Sequence, residues 1–351
     1  MVLPPELLRD RTLAKITMKD IARESGYSLG SVSRAINNAP GVSQEARKAI
    51  LDVVNKYGYQ INPNAKYLKQ KAKQGIGILI KGSQNLLYRE LVTKLQILLE
   101  ASAFDGFIHY IDESDDEVSA AIQLLSQRSL QGILFLGSDR SHFVDHFSDI
   151  RVPCVLVTNS AVDLPYTNLS SVTTDDAAAS QYAIEYLFSL GHEKIGVLGG
   201  HLEHSQAAKN RYQGVQYAFY SRARPFDNNT QFASGSFSLK GGYEAMNQLL
   251  DQNGEISAVF VMSDVMAMGA MRAAADRGLT IGKDLSVIGF DGLELSDYFI
   301  PQLTTIAQDV DEIASKSLEA ITAMIKKETK AVYHQIPFSL RQGQSVQPRL
   351  S

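Results

Sequence analysis

Residues 17–37 read TMKDIARESGYSLGSVSRAIN, and residues 42–50 read VSQEARKAI. Thr17, with Asp20 three residues on, forms a capping-box pattern. Ile21 and Ala22, with Met18, give a first helix its apolar face. Gly26 ends that helix, because glycine takes positive φ without steric cost. Ser28 caps a second helix that turns Val32, Ala35 and Ile36 inward at helical spacing. A third helix starts near Ser43, carries Ala46, Ile50, Val53 and Val54 as its core stripe, and stops at Gly58. Two short helices about a Gly-containing turn make a helix-turn-helix. Residues 16–60 are therefore expected to be an all-α DNA-reading head.

The second helix is the one expected to enter the major groove, N-terminal end first. Its outward residues are Leu29, Gly30, Ser33 and Arg34. Arg34 suits a guanine edge or a phosphate, and Leu29 a thymine methyl. Ser28, Ser31 and Asn37 suit phosphate oxygens, and Thr17 joins them as a candidate DNA contact. Gly30 costs about 1 kcal/mol against alanine inside a helix, and close approach to DNA accounts for it. A generic three-helix bundle is the competing reading.

Charge supports the head. Residues 1–74 hold thirteen Lys and Arg against six Asp and Glu, a net +7, which leaves −11 for the rest of a chain whose total is −4. Residues 1–15 are read as a disordered N-terminal extension. They lack the long apolar core of a secretory signal, and no apolar run approaches the roughly eighteen residues of a membrane span. A cytoplasmic protein without membrane association is expected. Cys154, the single cysteine, sits in an apolar run and reads as a small buried hydrophobe.

Residues 61–74 follow as a hinge. Pro63 suits the first turn of a short helix, but a helix of this length is not stable alone in water. It is expected to order only when docked; a flexible basic linker is the alternative. Beyond it, 75–351 alternates short apolar runs with amphipathic stretches. Strands are expected at Ile76–Ile80, Phe107–Ile111, Gly132–Leu136, Val155–Val157, Ile195–Gly199, Ala258–Val261 and Val287–Phe290, with helices such as Tyr88–Ala101, Ala177–Leu190 and Val265–Arg277. That alternation predicts an α/β body of two doubly wound parallel-sheet lobes. Ligands in such sheets bind beyond the carboxyl ends of strands. The groups found there are Lys81-Gly82-Ser83, Gly137-Ser138-Asp139, Thr158-Asn159, Ser263-Asp264 and Asp291. Taken singly, a post-strand Asp is more often a helix cap than a ligand contact.

The head sequence closely resembles that of the lactose-repressor family of bacterial transcription regulators. The likeness extends more loosely over the body through TTDDAAAS (173–180), LFSLGHEKIGVLGG (187–200), Arg211-Tyr-Gln-Gly214, VFVMSDVMAMGAMRAAADRG (259–278), DLSVIGFDG (284–292) and PQLTTIAQD (301–309). The resemblance implies a periplasmic-binding-protein-like core, with lobe 1 over about 75–172 and 308–337 and lobe 2 over about 173–307 and 338–351. It implies a homodimer on a near-palindromic double-stranded operator. Leu29 and Gly30 fall at the operator-specific positions, and Leu68 at a leucine wedged into the minor groove. With Asn62, Ala65 and Lys66, Leu68 makes the hinge a second set of DNA contacts. Effector contacts are expected at Ser83, Asn159, Arg211, Phe237, Ser263, Asp264, Asp291 and Gln308, with Phe237 stacking on the effector.

Departures from the family pattern are Lys66 for its arginine, Tyr67 for a small residue, Ser263 for an asparagine and Gly292 for a second acid. The first two bear on the hinge and its packing, and the last two leave the effector's identity open. A sugar or sugar phosphate is expected, with no cofactor and no metal, and with repression as the output. The alternatives are a corepressor-dependent regulator binding a nucleobase, or a solute-binding protein without DNA function. Enzyme readings find no dinucleotide or phosphate-loop glycine spacing, no HExxH and no catalytic acid/base pair. His192 reads as a structural turn residue.

Overall fold

The computed structural model describes residues 17–36, 39–57, 74–82, 85–203 and 205–349. The expected extension at 1–15 and all but the last residue of the hinge at 61–74 lie outside them. So do Asn37, Asn62, Ala65, Lys66, Leu68 and Ser83 among the expected contacts. Gln74, read as the end of the hinge, instead opens the first strand. The chain divides into two units, 1–72 and 73–351.

In the first unit, α1 (Met18–Ser25), α2 (Leu29–Ile36) and α3 (Gln44–Lys56) enclose Ile21, Val32, Ala35 and Ile50, all buried. Ala22, Ile36, Val42, Val53 and Val54 pack around them. The capping box is reciprocal: the Thr17 hydroxyl accepts from the Asp20 N–H, and Asp20 accepts from the Thr17 N–H. Gly26 closes α1 at φ 72°.

The second unit holds two six-stranded sheets. The first runs β11-β5-β4-β3-β1-β2, all parallel. Its strands are β1 (Gln74–Lys81), β2 (Phe104–Ile111), β3 (Leu130–Leu136), β4 (Cys154–Val157), β5 (Leu169–Thr174) and β11 (Tyr333–Ile336). The second runs β12-β10-β9-β8-β6-β7, parallel except for β12, which pairs antiparallel with β10. It comprises β6 (Ile195–Gly199), β7 (Phe232–Ser234), β8 (Ala258–Val261), β9 (Ser286–Asp291), β10 (Thr304–Gln308) and β12 (Phe338–Arg341). The chain crosses between sheets three times: after Thr174, after Gln308 and between Ile336 and Phe338.

Both faces of each sheet are covered, which is why most central strands are apolar throughout. On sheet 1, α4 (Leu86–Glu100) and α12 (Val310–Ile325) cover one face. The helices α5 (Glu117–Gln127) and α6 (Arg140–His146) cover the other. On sheet 2 the pairs are α7 (Asp176–Ser189) with α8 (Gln206–Ser221), and α10 (Leu239–Gln252) with α11 (Asp264–Asp276). The short α9 (Asn228–Gln231) leads into β7.

Five strands fall outside the apolar runs, and each has a local reason. In β5 and β10, LSSVTT and TTIAQ, threonine and serine replace aliphatics while remaining buried, half-buried Thr173 excepted. The Thr304 N–H donates to the Ser345 hydroxyl, and the Thr305 hydroxyl donates to Asp264. Three-residue β7 and the edge strands β11 and β12 are too short or too exposed to show an apolar run.

The helices α10 and α11 cross backbone to backbone. A Cβ at Gly269 would stand 2.0 Å from the Leu239 carbonyl oxygen, and one at Gly242 would stand 2.0 Å from that of Met266. Gly269→Ala is therefore expected to destabilise the body by about 1–3 kcal/mol through overpacking. Its melting transition should fall by several degrees, with the head's own transition unmoved, as scanning calorimetry would read.

Candidate functional sites

On the head, the exposed turn and start of α2 present Ser28, Leu29 and Gly30, with Arg34 one turn on. Leu29 is 43% exposed, without an intramolecular reason for a leucine there. A Cβ at Gly30 would meet nothing closer than 3.7 Å, so no packing inside the head demands glycine. The hydroxyls of Ser28 and Ser31 hydrogen-bond each other at 2.9 Å, either one donating, and the Ser28 hydroxyl accepts from the Ser31 N–H. Thr17's hydroxyl donates to Asp20 at 2.6 Å, which ties it to the cap of α1. Arg47, absent from the expected contacts, reaches from α3 to the carbonyls of Ala35 (3.4 Å) and Ala39 (2.7 Å). It thereby fixes the C-terminal end of α2. A lone arginine within an amphipathic helix gives no sequence signal of that role.

In the body, a cavity of about 160 Å³ lies between the lobes, beyond the carboxyl ends of the strands. Lobe 1 contributes Lys81, Gly82, Asn85, Tyr88, Glu113, Gly137 and Thr158; lobe 2 contributes His201, Ser205, Arg211, Ser236, Phe237, Ser263 and Asp291. Of the expected contacts, the structure brings Arg211, Phe237, Ser263 and Asp291 together on its wall.

Arg211, on α8, is the centre of that wall. Its Nε donates to Asp176 Oδ1 at 2.8 Å and its Nη1 to the Met262 carbonyl at 2.5 Å, while Asp291 Oδ1 lies 3.5 Å from Nη1. Its guanidinium stands 3.8 Å over the Phe290 ring. One cation thus serves two buried carboxylates. Burial dominates both: Asp176 is held above the usual carboxylate range, and Asp291 is pushed up to about 7 despite Arg211. Asp291 sits at φ 116° and Thr158 at φ 78°, left-handed conformations that a side chain rarely adopts and that concentrate at binding sites. Tyr88 hydrogen-bonds Thr158, and burial raises its phenol to about 12.

Three expected contacts are placed elsewhere. Asp264 is fully buried with its carboxylate consumed: Oδ1 accepts from the Thr305 hydroxyl, and Oδ2 from the Leu293 N–H and the Ser296 hydroxyl. It ties β10 to the loop after β9, and burial raises it to about 6. Asn159 turns its amide to the Ser138 carbonyl at 2.7 Å, behind the wall that its neighbour Thr158 lines. Gln308 donates to Asp291 Oδ1 at 3.0 Å and holds that carboxylate from outside the cavity. Lys81, Tyr88, Glu113 and Thr158 line the cavity without having been singled out as contacts. Lys81 and Thr158 were legible as post-strand polar residues; Tyr88 looked like the start of an amphipathic helix.

Asp116, Glu117 and His142 bring three donor groups together. Glu117, fully buried, already accepts from Lys81 (3.0 Å), the Asp139 N–H (2.5 Å) and His142 (2.8 Å). Asp116 caps α5. The set is a spent ion-pair and capping network. His192 bridges the Ser257 hydroxyl and the Gln347 carbonyl, which pins the C-terminal segment to lobe 2.

Asp291 has a stability consequence. Its folded pKa of about 7 exceeds the ordinary 3.8, so its contribution is fully present below about pH 4 and is lost as pH rises to about 7. Over that window the protein should lose about 2–4 kcal/mol relative to Asp291→Asn, which keeps the acceptor for Gln308 and carries no buried charge. Melting temperatures of both proteins across pH 4–8 would show the two curves diverging; parallel curves would refute the assignment.

Residues 17–62 match the bacterial regulatory proteins of the lacI family, and residues 184–346 match the periplasmic binding protein-like domain. The chain is 32% identical over 324 residues to the HTH-type transcriptional regulator MalR of Clostridium butyricum, covering 88% of this chain and 93% of MalR. It is 30% identical over 310 residues to the ribose operon repressor of Haemophilus influenzae, covering 88% and 92%. Among solved structures, the lac repressor dimer bound to operator and the anti-inducer ONPF superposes with a TM-score of 0.75 at 26% identity, over 95% of this chain and 99% of that one. No described helix is long and apolar enough to cross a membrane. The two units, a helix-turn-helix and a two-lobed ligand-binding fold, with likeness to transcriptional regulators over 88% of the chain, place this chain in the lacI family of bacterial regulatory proteins, as a sequence-specific DNA-binding transcription regulator.

Proposed function

We propose that the protein is a repressor whose operator affinity is set by a small sugar-like effector held between the lobes. It acts through binding alone, without a cofactor or a catalysed reaction. The observation that carries this reading is the buried Asp176–Arg211–Asp291 array opening onto the cavity. Fixed donors and acceptors side by side suit adjacent hydroxyls, and the Phe237 ring offers a flat apolar wall for a sugar face. The named activity of the ribose operon repressor supports it. The same ring would also stack on a nucleobase, which keeps the corepressor reading as the second one.

A dimer is part of the proposal. Ile300 is 94% exposed and Tyr298 is 74% exposed, beside an apolar hollow lined by Leu239, Met271 and Phe299. A knob and a hollow on one face suit an isologous contact with a second copy, as in the dimeric lac repressor complex. Two heads then meet major grooves of one operator about one helical turn apart. The effector acts by binding one degree of lobe closure better than another, which alters the spacing of the two connectors.

Arg211→Ala should abolish the effector response while leaving operator affinity within about threefold, read by gel shift with and without a responsive sugar; a retained response would misplace the pocket. Gly30→Ala should raise head stability by about 1 kcal/mol. Operator affinity should nevertheless fall at least tenfold if the backbone itself lies against the groove. Equal affinity would show that Gly30 meets no DNA.

A further inference from the structure

We infer that the cavity takes an uncharged effector and rejects its phosphate ester; this rests on the sugar reading above. The reason is the charge around the cavity. Among the described residues Lys81 and Arg211 are the Lys and Arg side chains that line it, beside His201, and both are matched within the protein. The Lys81 ammonium, on a side chain only 9% exposed, lies 3.0 Å from Glu117, a carboxylate that is itself fully buried. Arg211 is shared by Asp176 and Asp291. Glu113 adds a fourth carboxylate on the exposed rim. Four carboxylates therefore face two cations among the described residues.

Helix N-termini work the other way. The caps of α4, α8 and α11 are Asn85, Ser205 and Ser263, and all three line the cavity. Each terminus brings about half a positive charge. Asn85 and Ser205 spend their side-chain oxygens on their own helices' N–H groups, and Ser263 makes no such cap bond. The three termini offset most of the surplus negative charge and leave no net positive potential. A dianionic phosphate would have to break the Lys81–Glu117 pair or the Arg211 array to find a counter-charge, and either step strands a buried carboxylate. A hydroxyl breaks neither. It accepts from a cation that stays paired and donates to a carboxylate oxygen.

Titration calorimetry of the full-length protein at pH 8, where a phosphate monoester is fully dianionic, tests this with matched pairs of pentoses, hexoses and their monophosphates. The parent sugar that binds should do so at least tenfold more tightly than its ester. Glu113→Gln, a change on the exposed rim, should narrow that gap about five- to tenfold at low salt. An ester binding as tightly as its parent would overturn the inference and leave the sugar reading standing. A panel in which no sugar binds in either form would remove both.

Discussion

The body is organised around one guanidinium held between two carboxylates that have been taken out of water. Arg211 reaches across from α8 to Asp176 at the first crossover between sheets and to Asp291 at the end of β9. Such a group stabilises a fold poorly, because desolvating three charges costs about as much as their attraction returns. What it secures is geometry. Each charge is tolerable only where the others stand, so the three elements that carry them are held in register. Met262's carbonyl and the Phe290 ring complete the cage around the arginine, and Gln308 holds Asp291 from outside. The hydrogen-bonding edge left over faces the cavity.

The second constraint is connectivity. The lobes are joined by three crossings, at 174–176, 308–310 and 336–338. Two of the residues that fix the charge array, Asp176 and Gln308, sit at those crossings. A change in the position of one lobe against the other therefore moves the array, and a ligand that prefers one arrangement of the array biases the lobes. Lys81, at the end of β1, lies on the opposite wall, and β1 is the strand that follows the connector to the head in sequence.

Much of this was legible from residue patterns. The head could be read almost to the residue, since caps, a positive-φ glycine and helical spacing all act within four residues of sequence. Ile195–Gly199 and Ala258–Val261 were legible because strands covered on both faces are apolar throughout. Strands β5 and β10 were not, because serine and threonine stand where an apolar run is expected; in β10 the Thr305 hydroxyl finds its partner, Asp264, some forty positions away. The same distance in sequence hid Asp264's role. A post-strand Asp looks alike whether it faces a ligand or a loop, and only the arrival of Leu293, Ser296 and Thr305 shows that its acceptors are spent. Asn159 and Thr158 differ for a reason of backbone conformation: positive φ at Thr158 turns the chain, so that Thr158 lines the cavity and Asn159 lies behind it.

What remains is whether the site can supply enough free energy to act as a switch. Moving a two-state protein from one hundredth to ninety-nine hundredths in one form needs about 5.5 kcal/mol of differential binding. Strain and buried charge on the cavity wall are the terms a ligand can relieve. Thr158 and Asp291 keep left-handed backbone conformations, worth about 1–3 kcal/mol each. Asp291 also carries a buried carboxylate that burial has raised to about 7. A ligand hydroxyl donating to Asp291 lowers that last cost, but only while the lobes stand where Lys81 and Tyr88 close the other side. The affinity gained is thus conditional on closure, which is the property the proposed effector control requires.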